Sequence, residues 1–141
     1  MFLNYKLLGN KAIAPSYAKS GDAGMDLTAT RILKSNLFCV WYATDVAVEI
    51  PVGHYGALAP RSSISNDGTL MLANGVGIVD AGFRQGIQVR FNRTFKGVFT
   101  RKQYKVGERV AQLIILPFKS VTLKNTELSG SDRGGFGSTG K

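Results

Sequence analysis

Asn74–Phe91, NGVGIVDAGFRQGIQVRF, is the stretch on which the reading of this chain turns. In its second half Ile87, Val89 and Phe91 alternate with Gln88, Arg90 and Asn92, the two-residue period of a strand with one face in a core and one in water. In its first half an apolar run from Val76 to Val79 ends on Asp80, and Gly75 and Gly77 let the backbone turn sharply or approach a bulky group closely. The pattern predicts a hairpin that presents one buried acid. Turn chemistry alone leaves Asp80 two roles, a cap for its own backbone or a functional carboxylate.

Outward from there the chain is a series of short apolar segments between turn residues. Phe2 to Leu8, Ala23 to Ala29, Phe38 to Tyr42 and Val46 to Ile50 predict strands, the last closed by Pro51-Val52-Gly53. Val98 to Tyr104 predicts a basic return strand, Val110 to Leu116 another that Pro117 ends, and Val121 to Leu123 a last short one; Ser62 to Asp67 has room for a helical turn. With many short alternating segments, 17 glycines and no long helical period, the expected fold class is all-β, a distorted jelly-roll β-barrel of short strands. At 141 residues and 44% hydrophobic, the chain has material for one core, assigned to a domain over 1–128. Residues 129–141, SGSDRGGFGSTGK, have Phe136 as their one apolar side chain and read as a flexible C-terminal arm.

The formal net charge is +9, and from Arg84 to Arg109 eight Lys or Arg residues face one acid, Glu108. Such a run suits a polyanion, nucleic acid or a nucleoside triphosphate, although a solvated basic face is the plainer meaning. No segment reaches the roughly 20 apolar residues that span a bilayer. The opening MFLNYKLLGNK lacks a signal-peptide pattern, so a cytoplasmic location is expected, host cytoplasm for a viral source. Cys39 lies in an apolar run and reads as a small hydrophobe. His54 has no acid or second ligand at a useful spacing and reads as a turn residue. Gly135 to Lys141 has the skeleton of a phosphate-binding P-loop without the following Ser or Thr and helix that the motif needs, so that reading is set aside.

The chemistry lies in five short motifs. Ala23-Gly24-Met25-Asp26-Leu27 carries an acid into a strand, and Pro60-Arg61-Ser62-Ser63 offers a guanidinium fork and two hydroxyls to phosphate oxygens or, equally, caps a helix. The third is Asn74-x-x-Gly77-x-x-Asp80-x-x-Phe83. Gly107-Glu108-Arg109-Val110-Ala111-Gln112-Leu113 follows, with a Gln112 that is costly to bury without partners. The last is Phe136-Gly137-Ser138-Thr139-Gly140.

In this order the five motifs resemble those of the trimeric dUTPases, from Ala23 to the end. The resemblance implies hydrolysis of dUTP to dUMP and pyrophosphate by water attack on the α-phosphorus, with Asp80 as the base. Phosphate contacts would come from Arg61, Ser62, Ser63, Gln112, Ser138 and Thr139, and uracil would sit against Asn74, Gly77 and Phe83 beneath Phe136 and Gly137. It also implies Mg2+, with Asp26 reaching the metal through water or else paired structurally with an arginine, and a homotrimer with shared sites. Arg133 stands three residues before Phe136 where the family pattern has five, so it fills that slot after a deletion or takes another; Phe83 replaces the usual Tyr. A dCTP deaminase, which shares the fold, needs a glutamate beside the base, and none lies between Glu49 and Glu108. The remaining alternative is a basic β-domain that binds nucleic acid or regulates a partner, with weak polyanion binding through residues 84–109.

Overall fold

The computed structural model of the chain describes residues 1–132. In chain order its elements are β1 (Asn4–Leu7), β2 (Met25–Thr28), β3 (Arg31–Ser35), β4 (Cys39–Ala43), β5 (Val46–Glu49), β6 (His54–Pro60), α1 (Ser63–Asp67), β7 (Leu70–Leu72), β8 (Gly77–Val79), β9 (Gln88–Arg93), α2 (Phe95–Thr100) and β10 (Arg109–Pro117). They form two four-stranded antiparallel sheets, β2-β10-β6-β8 and β3-β4-β9-β7, and a β1-β5 pair. Leu27, Leu58, Val79 and Leu113 of the first sheet, Val40, Tyr42, Val89 and Phe91 of the second, and Val46 and Val48 of β5 share one core. This is the expected jelly-roll, distorted and not closed into a barrel.

Alternation drives the burial. On β9 Val89 and Phe91 are fully buried while Gln88 and Arg90 face water, as their period requires. Tyr42 packs edge-on against Phe91, and its hydroxyl donates to the Tyr104 carbonyl at 2.9 Å. Burial drives the Tyr42 pKa well above the usual phenol range, so the group remains a neutral donor.

Asn74–Phe91 is not a hairpin. β8 pairs with β6 in one sheet, whereas β9 pairs with β4 and β7 in the other. The stretch crosses between sheets because Ile87 is drawn to the β5 side, its N–H donating to Val46 and its carbonyl accepting from Thr44. Both of its strands therefore reach the shared core from opposite sides. Asp80 is exposed, contrary to expectation, because Val76 to Val79 is no continuous buried run: Gly77 and Val79 face inward, and Val76 and Ile78 outward.

Two further expectations fail. Residues 121–123 lie exposed outside any strand. The basic return strand over 98–104 does not form: residues 98–100 end α2 and 101–104 lie in no strand. In the sequence, the β-branched and aromatic residues of this segment outweighed its capping signal. Thr94 caps the helix by accepting from the Gly97 N–H at 3.1 Å, and Arg101 ends it in the left-handed conformation. Arg93, on the inward phase of β9, is only 9% exposed, and its guanidinium donates to the carbonyls of Asn36 and Lys102 and to the side chains of Ser35 and Gln103. It ties the end of α2 to β3.

Gly97 is where α2 meets the second sheet. A Cβ built there would lie 1.9 Å from the Thr69 carbonyl oxygen, which already accepts from the Thr94 N–H. Backbone cannot yield as a side chain can. Gly97→Ala is therefore expected to lower unfolding free energy by about 1–3 kcal/mol, the usual cost of overpacking, read as a shift in urea midpoint at unchanged slope.

Candidate active site

Asp26 lies on β2 with its side chain 4% exposed, and two guanidiniums reach it. Arg109 at the start of β10 donates to Oδ2 at 2.8 Å, and Arg61, just past β6, brings Nε within 3.3 Å of Oδ1. The Gln112 amide also donates to Oδ1 at 3.3 Å, so the polar side chain that looked costly to bury has a partner. Gly24 makes room for it: a Cβ there would sit 3.0 Å from the Gln112 Cβ. Arg109 and Gln112 are three apart and on a regular strand would face opposite sides. A register shift between Arg109 and Ala111 turns both toward Asp26.

Nothing local in the fourth motif announces this bulge or the pairing of Arg109 with Asp26. Ser62 and Ser63 follow Arg61 at the start of α1, where Ser62 takes the N-cap position without a capping bond from its side chain. Ser63 lines a groove of about 500 Å³ between α1 and residues 102–108. Asp26 is thus the counter-ion of two arginines, the structural pairing left open beside a metal role. Among the described residues no three His, Cys, Asp or Glu side chains gather to hold an ion. That donor set fits a cation carried by phosphate oxygens better than one caged by protein.

A second cluster sits on β8. A cleft of about 330 Å³ is lined by Asn74, Gly77 and Phe83 of the third motif, together with Leu58, Gln85 and Gln88. A Cβ on Gly77 would meet the Leu58 Cβ at 3.0 Å and the Asn74 Nδ2 at 3.3 Å, so glycine keeps the cleft open to the amide. β8 is an edge strand, and one side of its backbone is available to a ligand. Asp80 follows directly in a turn whose carbonyl accepts from the Phe83 N–H at 3.0 Å. No described residue pairs with its carboxylate, and the residue is exposed.

The two clusters are far apart on one chain. β10 pairs Gln112 with Ala59 and with Asp26, while β6 pairs Gly56 with Val79. Three strand spacings and about four residue rises therefore separate Asp26 from Asp80, on the order of 19 Å. Arg133, Phe136, Gly137, Ser138 and Thr139 lie outside the described residues. The basic run from Arg84 to Arg109 does not form one face: Arg84 pairs with Glu49, Lys102 with Asp67 and Arg109 with Asp26, Arg93 is buried, and Arg90 lies over Trp41. It is a set of local neutralisations more than a polyanion track.

The dUTPase family profile matches residues 10–140. A deoxyuridine 5'-triphosphate nucleotidohydrolase of Clostridium kluyveri is 34% identical, covering 99% of this chain and 99% of its own length. One of Hydrogenobaculum sp. is 35% identical with the same coverage of both. Among solved structures, a Staphylococcus bacteriophage 80alpha dUTPase variant with dUpNHpp superposes with a TM-score of 0.77 at 29% identity, covering 99% of this chain and 98% of its own. A dUTPase variant from phage phi11 of S. aureus, described with a structural Mg(II) ion, gives 0.74 at 26% identity over 91% of this chain and 98% of its own.

Asp26→Asn removes the one negative charge between two guanidiniums. Breaking a fully buried pair costs about 3–5 kcal/mol, but Arg109 is half exposed, so an expected loss of about 1–3 kcal/mol follows. Denaturant unfolding measures it, and wild-type stability would show the pairing to be incidental.

Proposed function

This chain belongs to the dUTPase family and hydrolyses dUTP to dUMP and pyrophosphate, and from that premise we propose which of its residues do so. One observation carries the assignment: Asp80 is exposed, has no partner among the described residues, and directly follows Val79 in the wall of a cleft that Asn74, Gly77 and Phe83 also line. Uracil enters the cleft against the free edge of β8, where alternating backbone N–H and C=O groups and the Asn74 amide match its imide edge. Cytosine would set donor against donor, a mismatch that a hydrogen-bonding site rejects by about 10⁴ to 10⁵-fold. The Phe83 ring presses on the sugar, where a ribose 2′-hydroxyl would lose its water without gaining a partner.

Asp80 holds a water in line with the α-phosphorus and takes its proton as the new P–O bond forms and the bond to the β-phosphate bridge breaks. Arg61, Ser62, Ser63 and Gln112 hold the charge that builds on the phosphate oxygens, with Asp26 fixing Arg61 and Arg109 in place. A magnesium ion carried on the substrate phosphates beside this cluster would supply charge neutralisation and leaving-group activation.

A base must lie within about 3 Å of the water it deprotonates, and the phosphate cluster of the same chain is on the order of 19 Å from Asp80. Asp80 of one copy therefore works on phosphates held by Arg61 of another, which supports a homotrimer with shared sites. For the arm over 129–141 the proposal rests on the family motif alone: Phe136 would stack on uracil, Ser138 and Thr139 would contact phosphate, and Arg133 would serve the γ-phosphate if its shortened spacing allows.

Pyrophosphate release is expected from dUTP and close to none from dCTP, dTTP or UTP; equal rates with dCTP would refute the site. Asp80→Asn keeps the shape and is expected to lower turnover by roughly 10² to 10⁴-fold. For the assembly, light scattering is expected to give three times the chain mass. Removing residues 131–141 should leave that mass intact and sharply reduce turnover, because an open site admits competing water. A truncated trimer with full activity would mean that the arm is no lid.

A further inference from the structure

The turn that carries Asp80 and Phe83 is held from outside by the residue that follows it. Arg84 Nη1 donates to the carbonyls of both Ala81 and Phe83, the second at 3.0 Å, so one guanidinium nitrogen spans the turn. Its Nη2 donates to Glu49 Oε1 at 3.2 Å. The other oxygen of Glu49 accepts from Asn4 Nδ2 at 2.9 Å, and Asn4 is the cross-strand partner of Glu49 in the β1-β5 pair. Asn4 and Arg84 together hold the Glu49 carboxyl below the usual carboxylate range. A continuous chain of hydrogen bonds thus runs from the first strand to the turn.

We propose that Arg84, braced by Glu49 and Asn4, is a positioning residue that fixes the Asp80–Phe83 turn for catalysis. The proposal rests on the assignment of Asp80 as the base. Magnitudes separate it from a merely structural role. Arg84 and Glu49 side chains are 51% and 52% exposed, and exposed pairs rarely add measurably to global stability. A misplacement of a catalytic group by about 1 Å, in contrast, costs up to ~10²-fold in rate. Loss of the clamp is therefore silent in unfolding and visible in kcat.

The test measures kcat, KM, thermal midpoint and oligomer mass of full-length Arg84→Ala, Glu49→Gln, their double variant and Asp80→Asn. Arg84→Ala is expected to lose roughly 10 to 100-fold in kcat and Glu49→Gln several-fold, with KM changing less and thermal midpoint and mass unchanged. The double variant should be no worse than Arg84→Ala, since both act on one clamp. Added guanidinium at millimolar concentration should restore part of kcat to Arg84→Ala and none to Asp80→Asn. An inactive Asp80→Asn beside fully active Arg84→Ala and Glu49→Gln overturns the clamp alone. Full turnover by Asp80→Asn overturns the base assignment and the clamp with it, and losses explained by a lower thermal midpoint reduce Arg84 to a stabilising residue.

Discussion

A carboxylate buried between two strands is costly unless cations or donors reach it, and Asp26 is met by both Arg61 and Arg109. Those two arginines come from different parts of the chain, one past the end of β6 and one at the start of β10. Satisfying Asp26 therefore fixes where both segments lie. It also brings together two guanidiniums that carry more donors than one carboxylate uses. Gln112 completes the cluster, and the absence of a side chain at Gly24 lets it fit.

The second constraint is that two sheets share one core. Asn74–Phe91 must leave the first sheet after β8 and enter the second at β9, and the crossing leaves the Asp80–Phe83 turn outside both. The turn is closed by the bond from the Phe83 N–H to the Asp80 carbonyl, and Arg84 meets its Ala81 and Phe83 carbonyls from outside. β6 is the common reference for both halves of the site, since it pairs with β10 on one edge and β8 on the other. Distance along and across that sheet is what keeps the halves apart on one chain.

The charge excess takes a different form from a continuous basic surface. Arg93 serves as an internal connector among Ser35, Asn36, Lys102 and Gln103, and several of its basic neighbours have acids or carbonyls of their own. A run of like charge in a sequence says nothing about which side chains fold inward, because inward placement depends on which carbonyls the tertiary fold brings within reach.

Local chemistry determined much of this in the sequence. The alternation of Ile87, Val89 and Phe91, the run Val110–Leu116 and the glycine punctuation were enough for an all-β fold, because burial on one face of a strand leaves a two-residue period whatever the strand pairs with. The five motifs, through their resemblance to those of the dUTPases, marked Arg61, Asn74, Gly77, Asp80, Phe83 and Gln112 as candidates, because each motif is a local run of residues that can be read without knowing the fold. Pairing lay beyond it: nothing within Asn74–Phe91 says that β8 and β9 belong to different sheets, because both patterns satisfy the same core. Nor does the spacing of Arg109 and Gln112 reveal the bulge that turns them the same way, or Arg84 its reach to Glu49 and Asn4. Those contacts join residues far apart in the chain, and only the folded backbone decides which distant groups come within the few ångströms at which hydrogen bonds and ion pairs act.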